Sequence, residues 1–223
     1  MKIVFIGSGN VATHLAIAAK QKGHCILQVY SRSAENARYL AEKVNASYSD
    51  NISHINPSAD IYIFSVKDDA LGQVLAEMPE TEGIWIHTAG SIPMNIFRHY
   101  HDRYGVLYPL QTFSKKREID FEKIPLFIEA NDSKVCEQLQ EFAGGLSPLY
   151  TILKAKNVDI CIWPQFLHAI LSITCMQRLP NCLKKIKFLL MYCYRSSTKQ
   201  QPKSINYIRV KHKPALRFVL TNK

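Results

Sequence analysis

The sequence predicts an α/β fold, a doubly wound and mostly parallel sheet, over residues 1–153, followed by an aberrant, poorly packed C-terminal tail. Three observations carry this. Short apolar runs alternate with helix-period segments as far as residue 152, the pattern of strand–helix repeats. The first run, Lys2-Ile3-Val4-Phe5-Ile6, leads into Gly7-x-Gly9-x-x-Ala12 and then a helical pattern. Composition breaks near residue 153. Of the 28 Lys and Arg, 14 lie in residues 1–153 beside 17 acids, and the rest follow with Asp159 as the one acid. All nine glycines precede residue 146. The net charge of +10 therefore describes neither part, and it is no argument for a nucleic-acid binder.

A strand, a glycine turn and a helix in succession give Gly-x-Gly-x-x-Ala its meaning as a dinucleotide-binding, Rossmann-type start. Gly7 permits the tight turn, Gly9 lets a pyrophosphate approach the backbone, and Ala12 lets the helix sit close on the strand. The helix N-terminus offers free N–H groups to the phosphates. A plain strand–helix turn is the alternative.

The first helix is expected from Asn10 to Lys22, ended by Gly23. Cys25–Tyr30 is the second strand, and Ser33 caps a helix from Ala34 to Val44. Ala46–Tyr48 reads as a short third strand. Ala59–Val66 is a strand apolar on both faces. Leu71–Met78 continues as helix until Pro79. Gly83–His87, Val106–Tyr108 and Pro125–Ala130 are further strands. Ser133–Phe142 is a helix closed by Gly144-Gly145, and Leu149–Ile152 starts one last strand.

The strand ends define the candidate site, because ligands of such sheets bind beyond the C-terminal ends of the strands. The second strand ends at Ser31-Arg32-Ser33, where an NAD site would carry an acid. An Arg there accommodates a 2′-phosphate, so the cofactor read from the residues is NADP(H). A solvated Arg in a turn is the other reading. Val66, Lys67 and Asp68 end the fourth strand as candidate cofactor-edge residues, or as a polar turn capping the next helix. Thr88-Ala89-Gly90-Ser91 and Pro109-Leu110-Gln111-Thr112 reach the same edge with small, hydroxyl and amide groups. His87 is the best titratable candidate for a catalytic role, against a blander reading as a buried, hydrogen-bonded strand-end histidine with no chemical role.

With these segments in view, the chain resembles the bacterial Rossmann-like NADP oxidoreductases, related to pyrroline-5-carboxylate reductase and the deazaflavin-dependent NADP reductases. His87-Thr88-Ala89-Gly90-Ser91 and Leu107-Tyr108-Pro109-Leu110-Gln111-Thr112-Phe113 are the specific part of the match, which covers residues 1–153. The resemblance implies NADP binding and a reductase-like architecture with a small-molecule substrate of unspecified identity. It also implies a helical C-terminal domain that completes the cleft and forms a homodimer. On this reading Gly7, Ser8, Gly9, Asn10 and Val11 hold the pyrophosphate, and Ser31, Arg32 and Ser33 hold the 2′-phosphate. Val66 and Lys67 flank the cofactor path. Thr88, Ala89, Gly90, Ser91, Tyr108 and Gln111 line the substrate side. The expected reaction is NADP-dependent reduction or oxidation of a small carbonyl or imine. A non-catalytic dinucleotide-binding sensor or scaffold is the competing class.

Residues 154–223 do not look like that helical domain. Ile160–Met176 is interrupted by Pro164, Gln165 and His168, so no membrane span is expected. Cys161, Cys175, Cys182, Cys193, His168 and His212 lack metal-ligand spacing, so no metal is expected. The absence of glycine and near-absence of acids suit a coding sequence read out of frame. Trp163-Pro164 must be encoded TGG-CCN, and the frame one base earlier contains GCC, alanine. Carried through Ile162–Leu183, Leu190–Ile205 and Lys211–Thr221, allowed codons permit amphipathic, helix-like strings in one shifted frame. The expectation is a single-base deletion near codons 152–154, loss of the helical domain and its dimer, and impaired activity. With Cys25 and Cys136 alone in the first part, and an N-terminal apolar run too short for a signal peptide, a cytoplasmic setting is expected.

Overall fold

β-Branched and aromatic runs pair into one sheet in the computed structural model, which describes residues 1–115 and 117–153. The order along the chain is β1 (Lys2–Ile6), α1 (Asn10–Gln21), β2 (Cys25–Tyr30), α2 (Ala34–Val44), β3 (Ser47–Ser49), β4 (Ile61–Phe64) and α3 (Asp68–Glu77). β5 (Ile84–His87), β6 (Tyr104–Pro109), β7 (Leu126–Ala130), α4 (Ser133–Leu146) and β8 (Tyr150–Ile152) complete it. The sheet order is β3-β2-β1-β4-β5-β6-β7-β8. β1 to β6 are mutually parallel, β7 runs antiparallel to β6, and β8 is parallel to β7. The Rossmann-type sheet expected from the sequence is therefore present.

Alternation along each strand divides the core into two layers. Ile3, Phe5, Ile63 and Ile86 face α1, α2 and α4, together with Leu15, Leu40 and Leu139. Val4, Ile6, Tyr62, Phe64 and Trp85 face the opposite layer, where Leu71 and Val74 of α3 and Phe97 meet them. Strand direction reverses its outward progress between β1 and β4, and that switch point opens a crevice at the C-terminal strand ends.

Helix caps follow local chemistry. The Ser33 hydroxyl accepts the Asn36 N–H, and the Asp132 carboxylate accepts the Val135 N–H. Several boundaries move by one to three residues, and one moves further. α4 passes through Gly144-Gly145 to Leu146 rather than ending near Phe142. Leu146 is fully buried, and the Tyr150 ring lies where a Cβ on Gly144 would come within 3.2 Å of it. Packing there outweighs the roughly 1 kcal/mol intrinsic helix penalty of a glycine. No helix among the described residues is long and apolar enough to cross a membrane. The expectations for residues 154–223 lie outside the described residues.

Candidate cofactor and substrate edge

The glycine turn connects β1 to α1 at the switch point. Gly7 has φ +116, and a Cβ built on it would run into the Ser65 carbonyl and lie 2.8 Å from its carbon. Its N–H donates to the Tyr30 carbonyl at 2.7 Å, which draws the turn down between β1 and β2. Gly9 is exposed, with φ −73, and its missing Cβ would come no closer than 3.9 Å to the Ser65 carbonyl oxygen. Among the described residues α1 has no side-chain cap, in contrast to α2 and α4, and no acid in its first turn, in contrast to α2. The free N–H groups and partial positive charge at that end suit an anion. Ser8 is buried in the turn and Val11 is half-buried on the helix.

On the β2 side, Ser31 donates its N–H to the Ser49 carbonyl at 3.1 Å. The Ser33 oxygen accepts from both the Asn36 N–H and its side-chain amide, leaving the hydroxyl proton available to a ligand. Arg32 is exposed and forms no ion pair among the described residues.

The ends of β4, β5 and β6 meet across the crevice from β2. Ser65 and Thr88 share a hydrogen bond of 3.0 Å between their hydroxyls. Val66 is half-buried, and Lys67 is the exposed residue that precedes α3. Ser91 donates to the Asp68 carboxylate, so one predicted substrate-side hydroxyl is engaged within the chain. Ala89 is half-buried and Gln111 is exposed. The Tyr108 ring covers Gly90 so closely that a Cβ there would be 2.7 Å from it. Burial raises the Tyr108 hydroxyl pKa above its ordinary value.

His87 lies beneath this edge. Its side chain shares the β5 face of Trp85, has no exposed surface, and stacks on Phe97 with ring centroids 5.5 Å apart. Neither ring nitrogen has a hydrogen-bond partner among the described residues, so the hydrogen-bonded histidine of the blander reading is not what forms. Burial lowers its pKa from 6.5 to about 4, against weaker opposing pulls from the Pro93 backbone, the Asp68 carboxylate and the Ala89 backbone. An imidazole in this state is neutral at neutral pH and has no second proton to donate.

This burial makes stability acid-sensitive. Unfolded, the ring takes a proton near pH 6.5; folded, near pH 4. Between those values the unfolded state binds more protons, so stability rises with pH across the window and is lost as pH falls through it. The expected loss is about 2 kcal/mol between about pH 6.5 and 4.5. Urea titrations at several pH values should show a shallower dependence in His87→Gln than in the parent chain. Equal slopes would contradict the assignment.

Sequence reasoning missed the connection that reaches this edge from the far side. The Asn10 side-chain amide donates to the Phe113 carbonyl at 3.0 Å, and His14 Nε2 lies 2.9 Å from the Ser114 carbonyl. Asn10, expected on the pyrophosphate, thus spends its amide on residues more than a hundred positions away. Its backbone N–H still belongs to the open first turn of α1. No residue-type signal could have revealed this, because both partners are backbone carbonyls.

Comparison with known proteins gives three kinds of likeness. The family model described as NADP oxidoreductase, coenzyme F420-dependent, matches residues 2–87. The "putative NADP oxidoreductase" of Bacteroides fragilis is 39% identical, with 87% of this chain and 73% of that one covered and a TM-score of 0.66. An imine reductase of Streptomyces aurantiacus is 14% identical, covering 88% and 78% with a TM-score of 0.62. A pyrroline-5-carboxylate reductase of Coxiella burnetii is 15% identical, covering 90% and 81% with a TM-score of 0.56. The latter two share the fold. No curated protein sequence matches.

Proposed function

The chain belongs to the family of NADP oxidoreductases that includes the Bacteroides fragilis protein, and from that premise we propose that it binds NADP(H) along the C-terminal sheet edge for reduction or oxidation of a small carbonyl or imine. The observation that carries this is the uncapped, acid-free N-terminus of α1 set behind a glycine turn at the β1/β4 switch. The residues fit the dinucleotide: Gly9 leaves open the space that a side chain would fill, and Arg32 is an exposed cation with no acid paired to it among the described residues.

Gly7, Ser8, Gly9 and Val11 form the pyrophosphate turn, with Asn10 contributing its backbone N–H. Ser31, Arg32 and Ser33 hold the 2′-phosphate, and Val66 and Lys67 border the path between the two halves of the cofactor. Thr88, Ala89, Gly90, Ser91, Tyr108 and Gln111 line the substrate side. Bound NADPH supplies the hydride, and the chain's task is to bind and orient. Uncharged hydroxyl and amide groups on that side favour a small carbonyl or imine over a strongly charged substrate. His87 serves as a positioning residue under residues 88–93, since its burial and low pKa remove it from proton donation.

We assign residues 1–153 to the NADP-binding domain. Residues 154–223 are an out-of-frame replacement for a helical dimerisation and substrate domain, on the support of the composition break and the codon arithmetic. Turnover is then weak in this chain, and a cytoplasmic setting accords with its cysteine content. The gene sequence across codons 145–165 tests the frame. Codons that cannot give the helix-like strings one base earlier would rule it out.

For the cofactor, Arg32→Ala should weaken NADPH binding about tenfold, the scale of losing a charge-assisted bond to phosphate, and leave NADH unchanged. Fluorescence titration of both cofactors reads this, and equal effects on the two would contradict the 2′-phosphate role. NADPH oxidation across a panel of imines and ketones by a frame-restored chain separates an oxidoreductase from a sensor. Tight binding without turnover would favour the sensor.

A further inference from the structure

The connection after β6 passes over three parts of the proposed cofactor site in succession. Tyr108, near the end of β6, leads into it and packs on Gly90, three residues beyond β5. Phe113 and Ser114 then cross the first turns of α1, held by the Asn10 and His14 contacts. The Phe113 ring pins the crossing, buried between the rings of His14 at 5.6 Å and Phe121 at 6.1 Å. The next residue, Lys115, carries its ammonium to α2, 5.6 Å from the centre of the Tyr39 ring. Lys43 sits over the same ring at 4.6 Å.

Lys115 and Tyr39 line a groove of about 500 Å³ with Glu35, Asn36, Arg38 and Glu42. Asn36 links this groove to the α2 N-terminus, because its amide donates to the Ser33 hydroxyl at 3.0 Å. Arg38 and Glu42 neutralise each other at 2.8 Å. Of the charges that line the groove, that leaves Lys115, beside Tyr39, and Glu35 in the first turn of α2 as its opposite.

We propose that Lys115 is a specificity-determining residue for the phosphorylated cofactor, its ammonium moving from the face of Tyr39 onto the 2′-phosphate held by Arg32 and Ser33. This rests on the NADP reading above and adds to it a cation supplied from the β6–β7 connection. An exposed ammonium–ring contact is weaker than a charge-assisted bond to a phosphate dianion, so the movement is downhill when the phosphate arrives. The anchors at Asn10, His14 and Phe113 fix the backbone of the preceding residues. Little ordering is then left to oppose binding. Glu35 acts against the same phosphate, so its removal and that of Lys115 have opposite signs.

Isothermal titration of the full chain with NADPH, NADH, adenosine 2′,5′-bisphosphate and 5′-AMP tests this. Lys115→Ala should weaken NADPH and the bisphosphate about five- to tenfold while NADH and 5′-AMP stay within about twofold. Lys115→Arg should restore most of the loss, and Glu35→Gln should tighten NADPH roughly twofold. NADPH affinity unchanged in Lys115→Ala, or an equal loss for NADH, overturns the proposal. If Arg32→Ala weakens NADPH and Lys115→Ala does not, this inference fails alone. If the parent chain ignores the 2′-phosphate, the NADP reading fails with it.

Discussion

Gly7→Ala is expected to destabilise the protein by about 3 kcal/mol or more, whereas Gly9→Ala, two residues on, costs less than about 1 kcal/mol. The contrast comes from backbone geometry. At φ +116 a Cβ strains the turn whatever space surrounds it, and at Gly7 that Cβ also meets the Ser65 carbonyl. Relief would require the end of β4 to move, breaking the 2.8 Å hydrogen bond from the Ser65 N–H to the Ile6 carbonyl. Gly9 has an ordinary extended conformation, and a Cβ there would lie 3.9 Å from the Ser65 carbonyl oxygen, an ordinary contact. Its methyl would instead occupy the approach of the pyrophosphate, so Gly9→Ala should lower NADPH affinity at least about tenfold. Urea denaturation and NADPH titration of the two variants separate fold from function. Equal stability loss in both would show that the turn is not strained as described.

Phe97→Ala should cost about 3–5 kcal/mol, the range for removing a large buried ring. Phe97 is fully buried and touches four rings, with centroids at 5.5 Å to Phe64, 6.2 Å to Trp85, 5.5 Å to His87 and 5.9 Å to Tyr104. The cavity would lie next to His87, beneath the residues that line the proposed substrate side. Water entering it would relieve the burial that depresses the His87 pKa, so the value should climb from about 4 toward 6.5. Denaturation gives the first number and an NMR titration of the His87 ring gives the second. A loss under about 1 kcal/mol, or an unmoved titration, would contradict this packing account.

The strands and the glycine turn were legible in the sequence because each rests on local chemistry. Apolar runs such as Ile61–Phe64 pair wherever they fall in the chain, and Gly7 is dictated by one turn. Ser33 was readable as a cap for the same reason. What the sequence left open is non-local. Trp85 and His87 share one face of β5, but Phe97 and His101, ten and fourteen residues beyond His87, seal that face. Asn10 sits in a phosphate-binding turn by sequence, yet a carbonyl 103 positions away takes its amide. The end of α4 was set by Tyr150 and Leu146, which overrule the glycine pair. Lys115 gave no signal at all, since its place near α2 depends on the anchoring of Phe113.

The central claim is a phosphorylated dinucleotide at the C-terminal sheet edge, and the direct test is the affinity of the full chain for NADPH and NADH measured side by side. The expected result is NADPH bound at least about tenfold more tightly, with Arg32→Ala lowering that preference about tenfold. Equal affinities in the parent chain, or no saturable binding of either cofactor, would contradict it.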